Sequence, residues 1–172
     1  GATTRISLLS SPLRSRFSGG VYRLQYYTEK EISTIIKNSA KILGTVLPED
    51  ASMEIAKRSR FTPRIANYYL KRARDYAQVH KANIDKEVVD ISLSMLEIDE
   101  FGIGVAEKMV LDALVNTFNG RAVGLNTLSA ATGEEEATIS DVTEPYLIQI
   151  GMIERTPRGR KATEKAVKHF KK

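Results

Sequence analysis

From residue 28 to residue 149 apolar side chains recur at spacings of three and four, and this run is followed by one basic strand-turn-strand, Met152–Ala162. An order of that kind specifies packed helices with a single late hairpin. Thr28 and Glu31 form a capping-box pair, in which each side chain satisfies an end-of-helix amide. Ile32, Ile35, Ile36, Ala40 and Leu43 then line one helical face. Pro48 and Asp50 open a second helix through Ile55 and Ala56. Thr62 is placed to cap a third, with Pro63 at its first position, where a missing amide does no harm. Ile65, Leu70, Ala73 and Ala77 give that helix an apolar side, and Asp85 begins a fourth with Val88, Val89, Ile91, Leu93, Met95 and Leu96. Residues 28–100 therefore predict a small helical bundle.

Asp99-Glu100-Phe101-Gly102 reads as a linker to a second unit. Beyond it the spacing predicts helices at roughly 105–118, 125–131 and 134–149, then the hairpin, then a last basic helix capped by Thr163. Three helices followed by a hairpin is the winged-helix order, a helix-turn-helix variant. Residues 1–27 are too short and irregular for a domain. They predict a strand end at Gly1–Thr4, a short helix or turn at Ser11–Arg14 and a strand at Val21–Tyr26, with Gly19-Gly20 between the last two. A lone strand pair has no sheet to complete. Together with an opening Gly in place of Met, this gives the expectation of a piece cut from a longer protein.

Several classes drop out on composition. The chain has no cysteine, so a disulfide framework or thiolate metal site is excluded and a reducing cytoplasm fits. His80 and His169 lie far apart, without ligand-like spacing, so no metal is expected. No apolar run approaches the roughly 20 residues of a membrane helix, and no signal peptide opens the chain. The net charge of +5 is sharply segregated. Residues 134–154 hold six acids and no Lys or Arg, whereas residues 155–172 hold eight basic residues against one acid. Such segregation favours a polyanion partner for the tail.

The hairpin is the clearest candidate site. Pro157-Arg158-Gly159 supplies turn chemistry, and Arg155, Arg158, Arg160 and Lys161 surround it. A planar guanidinium fork pairs with phosphate, so Arg on a protruding hairpin suits a DNA backbone or minor groove. The helix before it carries Glu134, Glu135, Glu136, Asp141 and Glu144, all expected to be repelled by phosphate. DNA contact is therefore expected through the wing, with little base readout. Two weaker candidates are Thr62-Pro63-Arg64, where helix amides and an Arg attract an anion, and Arg14 with Arg16, which could reach a phosphate on a neighbouring subunit. Taken alone, both also suit ordinary surface arginines.

Five segments in order, Gly1–Arg5, Ser11–Phe17, Thr62–Asn67, Glu144–Gln149 and Arg155–Arg160, resemble motifs of the RuvB family of AAA+ ATPases. The similarity covers essentially the whole chain. Members of that family form hexameric rings that hydrolyse ATP to drive duplex DNA arms through a Holliday junction held by RuvA. The resemblance implies a mainly helical fold. Residues 1–26 would end the large ATPase domain, residues 27–99 would form the helical lid, and residues 100–172 the winged-helix head. It implies Thr4 as the sensor 1 residue and Arg16 as an arginine finger acting in trans. Tyr27 would contribute to the nucleotide pocket, Arg64 would be sensor 2, and Arg155 and Arg160 would be DNA-contacting arginines. ATP or ADP with Mg²⁺ would serve the intact protein. RuvA would dock through a segment outside this chain, and RuvC is a further candidate partner.

Three departures stand out. The family usually has Gly where this chain has Phe61, the Ser18-Gly19-Gly20 connection is one residue longer, and Glu136 stands where many relatives carry a DNA-contacting Arg. The P-loop lysine, the acidic Mg²⁺ motif and the RuvA-docking hairpin are not in the sequence, so this chain alone is expected to be inactive as an ATPase and to bind no nucleotide tightly. The competing reading is a winged-helix DNA-binding regulator without enzymatic activity. It predicts a basic recognition helix, which residues 134–148 do not supply.

Overall fold

The computed structural model describes residues 1–3, 6–17 and 19–170. Among them the fold is mainly helical with one small hairpin. A short helix α1 (Ser11–Arg16) precedes a bundle of α2 (Glu29–Ile42), α3 (Glu49–Arg58), α4 (Pro63–His80) and α5 (Lys86–Ser94). Then come α6 (Val105–Asp112), α7 (Leu125–Thr132), α8 (Glu136–Thr138), α9 (Glu144–Gln149), β1 (Ile153–Thr156), β2 (Gly159–Ala162) and α10 (Glu164–Phe170).

Two apolar clusters carry these elements. The bundle closes over Ile32, Ile36, Ile55, Leu70, Val89 and Leu93, and the second unit over Ile103, Leu111, Leu114, Leu128, Leu147 and Met152. Local signals work as expected at two starts. The Glu31 amide donates to the Thr28 hydroxyl at 3.3 Å while the Thr28 amide donates to the Glu31 carboxylate at 2.8 Å. At α5 the Val88 amide donates to Asp85 at 2.8 Å. At α4 the expected cap does not form. Thr62 occupies the position before Pro63, but its hydroxyl donates to the Arg60 carbonyl at 3.0 Å. The cause lies just upstream, where Arg60 (φ 55°) and Phe61 (φ 56°) are both left-handed and fold the chain back on itself.

The described residues differ from these expectations in five further places. Val21–Tyr26 is not a strand. It runs exposed and without a ladder, because no strand among the described residues is available to pair with it. Gly1–Thr3 are likewise without strand structure, and Thr4 lies outside the described residues. The third predicted helix of the second unit is divided: a π-helical turn, Ile139–Thr143, separates α8 from α9. Pro145 has no amide to offer the Asp141 carbonyl, and a widened turn accommodates its ring. Another π-helical turn, Ala113–Thr117, ends the helix begun by α6. The wing also has a third strand-like residue that alternation did not reveal. Val123 and Arg160 exchange two backbone hydrogen bonds of 2.8 Å, which sews the hairpin to the segment between α6 and α7.

Candidate DNA interface and nucleotide-facing residues

The hairpin register places Arg155 directly opposite Arg160. Like charges so paired repel across a strand pair. What lies between them resolves the conflict: Glu144, fully buried at the start of α9. Its Oε1 accepts from Arg155 Nε at 2.7 Å and Arg160 Nε at 3.1 Å, and its Oε2 accepts from the two Nη2 atoms at 2.9 and 3.1 Å. Both arginines therefore meet one carboxylate edge-on, the strong bidentate geometry. Burial pushes the Glu144 carboxyl up, but hydrogen bonds from Arg155 and then Arg160 outweigh it and hold it below the usual carboxylate range. The Arg155 guanidinium is correspondingly pushed up, chiefly by its hydrogen bond to Glu144.

This corrects one sequence expectation. Glu144 is not a surface acid facing a phosphate backbone. Its charge is consumed inside the wing, and the three groups together keep one positive charge. Arg155 remains more than half exposed, whereas Arg160 is mostly covered. Arg158 sits exposed at the hairpin tip, and Lys161 lies 3.8 Å from Glu154 on the neighbouring strand. Of the remaining acids on this helix, Glu135, Glu136 and Asp141 are exposed, and Asn126 donates to Glu136 at 3.2 Å.

The other predicted residues lie elsewhere. Arg16 ends α1, a helix without a buried residue. Arg64 is exposed in the first turn of α4, three residues after Phe61 of the left-handed pair Arg60-Phe61. Tyr27 is about half exposed beside the capping box of α2, and the adjacent Tyr26 ring lies 6.4 Å from that of Phe61. The structure thus brings the 26–27 segment to the turn that leads into α4. An exposed aromatic and an exposed Arg at a helix start suit a nucleotide base and its phosphates. Among the described residues no group of three or more His, Asp or Glu could hold a metal ion.

Sequence reasoning missed the joint between the two units. Arg60 donates through Nη1 and Nη2 to Glu107 of α6 at 2.7 and 2.8 Å and through Nε to the Gly102 carbonyl at 3.0 Å. Glu107 is buried, and its carboxylate also accepts from the Gly104 amide at 3.1 Å. The Arg60 guanidinium lies 5.1 Å from the centre of the Tyr146 ring, and the Tyr146 hydroxyl donates to the Phe101 carbonyl. Burial pushes that hydroxyl up to about 12, with Arg60 opposing, so it stays a donor. Asp99 accepts from the Phe101 and Ile103 amides at 2.8 and 2.9 Å and meets His169 of α10 at 2.8 Å. The expected linker is a packed joint. An acid three residues after Gly104, on the apolar side of a helix, was the one available signal.

The RuvB AAA lid domain model matches residues 27–99, and the RuvB C-terminal winged helix domain model matches residues 100–171. The chain is 51% identical over 171 residues to the Holliday junction branch migration complex subunit RuvB of Ligilactobacillus salivarius, covering 99% of this chain and 51% of that protein. The Thermotoga maritima RuvB Holliday junction branch migration motor superposes with a TM-score of 0.90 at 48% identity, covering 99% of this chain and 57% of that one. A variant of the same protein gives 0.91 at 47%, with the same coverage. The chain therefore spans about half the length of these relatives. With both of its helical units matched and the fold shared throughout, this chain belongs to the RuvB family, of which it carries the AAA lid and the winged helix.

Proposed function

We propose that this chain is the lid and DNA-gripping head of an ATP-driven motor for Holliday-junction branch migration, with residues 1–26 as the end of its ATPase domain. The observation that carries the reading is the fixed pair of guanidinium groups on the wing, beside an exposed Arg158. Each of Arg155 and Arg160 donates two N–H groups to Glu144. A guanidinium has five, so further donors remain for phosphate. Backbone contacts of this kind grip duplex without reading its bases. RuvA, through a segment outside this chain, and a ring of further copies are the expected partners.

Tyr27 and Arg64 would hold ATP or ADP in the intact protein, the first against the base and the second on the phosphates. Arg16 would act on the nucleotide of an adjacent copy, and Thr4 would serve as sensor 1. When bound, the nucleotide would supply the driving force through phosphoryl transfer, with Mg²⁺ held by residues outside this chain. What these residues contribute is orientation and charge: Arg64 is a fixed positive group on a rigid helix start, able to register a phosphate and to move α4 with it.

Duplex binding tests the DNA reading. Arg158→Ala should weaken binding to all sequences alike and lower the salt slope by about one unit, as expected for one lost phosphate contact. Lys161→Ala should do less, because its ammonium already lies near Glu154. Unchanged affinity in both variants would place the DNA surface elsewhere, and strong preference for one duplex sequence would point to a regulator.

A further inference from the structure

We infer that Glu144 is a positioning residue for DNA binding: the buried carboxylate of the helix before the wing aims Arg155 and Arg160 as one two-pronged phosphate clamp. This rests on the proposal that the wing binds duplex. It opposes the simpler expectation, in which an acid next to a DNA surface only repels.

Three observations converge on it. Glu144 is completely buried, although the helix start before it is rich in exposed acids. A buried carboxylate needs partners, and those of Glu144 are the two wing arginines. Second, Arg155 and Arg160 are directly opposed on adjacent strands, where two cations would splay apart without a shared counterion. Third, the backbone on both sides is fixed. Arg160 is bridged to Val123, and Glu144 is set by the π-helical turn before it and Pro145 after it. The clamp therefore holds its geometry before DNA arrives, and a preorganised donor pair loses less side-chain entropy on binding. Both arginines use the Nε–Nη2 edge on Glu144, which leaves the Nη1 side of each for an outside acceptor.

The sign of one measurement separates positioning from charge. Glu144→Gln keeps the shape and adds one net positive charge. By charge alone, duplex affinity should rise and the salt slope should steepen by about one unit. By positioning, affinity should fall about tenfold and the slope should become shallower, because two of the phosphate contacts lose their fixed geometry. Arg155→Lys provides the second variant. It keeps the charge at a position more than half exposed, but cannot meet a carboxylate edge-on. It should lose nearly as much affinity as Arg155→Ala. A direct signature accompanies both: the Nε–H resonances of Arg155 and Arg160 should be sharp and slow to exchange in the parent chain and broadened in Glu144→Gln. Binding by Glu144→Gln as tight as or tighter than the parent would overturn the inference, as would an Arg155→Lys variant that binds like the parent. Arg158→Ala keeps the two questions apart, since Arg158 makes no contact with Glu144 in the wing. If Arg158→Ala weakens binding while Glu144→Gln does not, positioning alone fails. If neither variant matters, the DNA reading of the wing fails with it.

Discussion

Gly159 opens β2 with φ 127°, and a Cβ there would sit 2.1 Å from the Val123 carbonyl oxygen. The sequence marks it as a turn residue. The close approach of Val123 is a tertiary contact with no local signal, so it could not be read there. Gly159→Ala should force the hairpin off Val123 and cost about 2–4 kcal/mol through clash and backbone strain. Chemical denaturation measures the loss, and the Val123 and Arg160 amides should become fast to exchange. A stable variant with both amides still protected would contradict the bridge. Glu144 allows a pH argument of opposite character. Its folded pKa lies below the ordinary carboxylate value, so its contribution to stability is fully present above that value. The contribution disappears as pH falls through the lowered folded pKa. Acid should therefore destabilise the parent more steeply below about pH 4 than it destabilises Glu144→Gln, which has no proton to take up. Parallel acid-unfolding curves would contradict the depressed pKa. Phe61 adds a third residue-scale point. A left-handed φ of 56° is a conformation that glycine adopts freely, which accounts for the Gly expected from the family at this position. Here the ring packs partly buried against the bundle core and lies near Tyr26, contacts glycine would lack.

At the scale of elements, the bundle was the most legible part. α2, α4 and α5 begin within two residues of the sites predicted from capping and periodicity, because each has a long apolar face and a local start signal. The helix run 136–149 was legible as a length but not as a shape. Its acids are equivalent by sequence, yet the π-helical turn before Pro145 rotates Glu144 into the core and leaves Glu135, Glu136 and Asp141 outside. The exposed acids at its start complement the positive end of a helix, so they favour the helix while opposing DNA. Glu136→Arg should accordingly cost a few tenths of a kcal/mol in stability and tighten duplex binding several-fold at low salt. A salt titration of both chains checks it, and the gain should vanish as ionic strength rises. No gain at any salt would mean that this helix start stays away from DNA. The segment Val21–Tyr26 differs from the expectation because its apolar residues alternate as a strand does, while no strand among the described residues pairs with it.

For the whole molecule, the joint at residues 99–104 decides whether lid and head move together. The two apolar clusters are separate, so each unit could fold on its own core. What ties them is polar and largely covered: the Arg60–Glu107 pair, the Tyr146 ring beside it, and Gly102, where a Cβ would lie 2.3 Å from the Arg58 carbonyl oxygen. Arg60 is four residues before Arg64, across the left-handed turn, so a displacement of α4 by a phosphate would reach the head through this pair. Beyond the place of Glu107 on the apolar side of a helix, none of this was legible, because the pairing spans 47 positions and Arg60 alone looks like a surface charge. Calorimetry of this chain tests the tie. The parent should unfold in one transition, since breaking the joint would leave a largely covered guanidinium and a buried carboxylate unpaired. Glu107→Ala creates that unpaired charge and should destabilise the chain by about 3–5 kcal/mol, with the lid and head melting as two resolved transitions. Replacing both partners together, with Arg60→Met and Glu107→Leu, should recover most of the stability, because apolar side chains of similar size leave no buried charge behind. A single transition in Glu107→Ala, with Tm within a degree of the parent, would show that the units are coupled by something other than this pair.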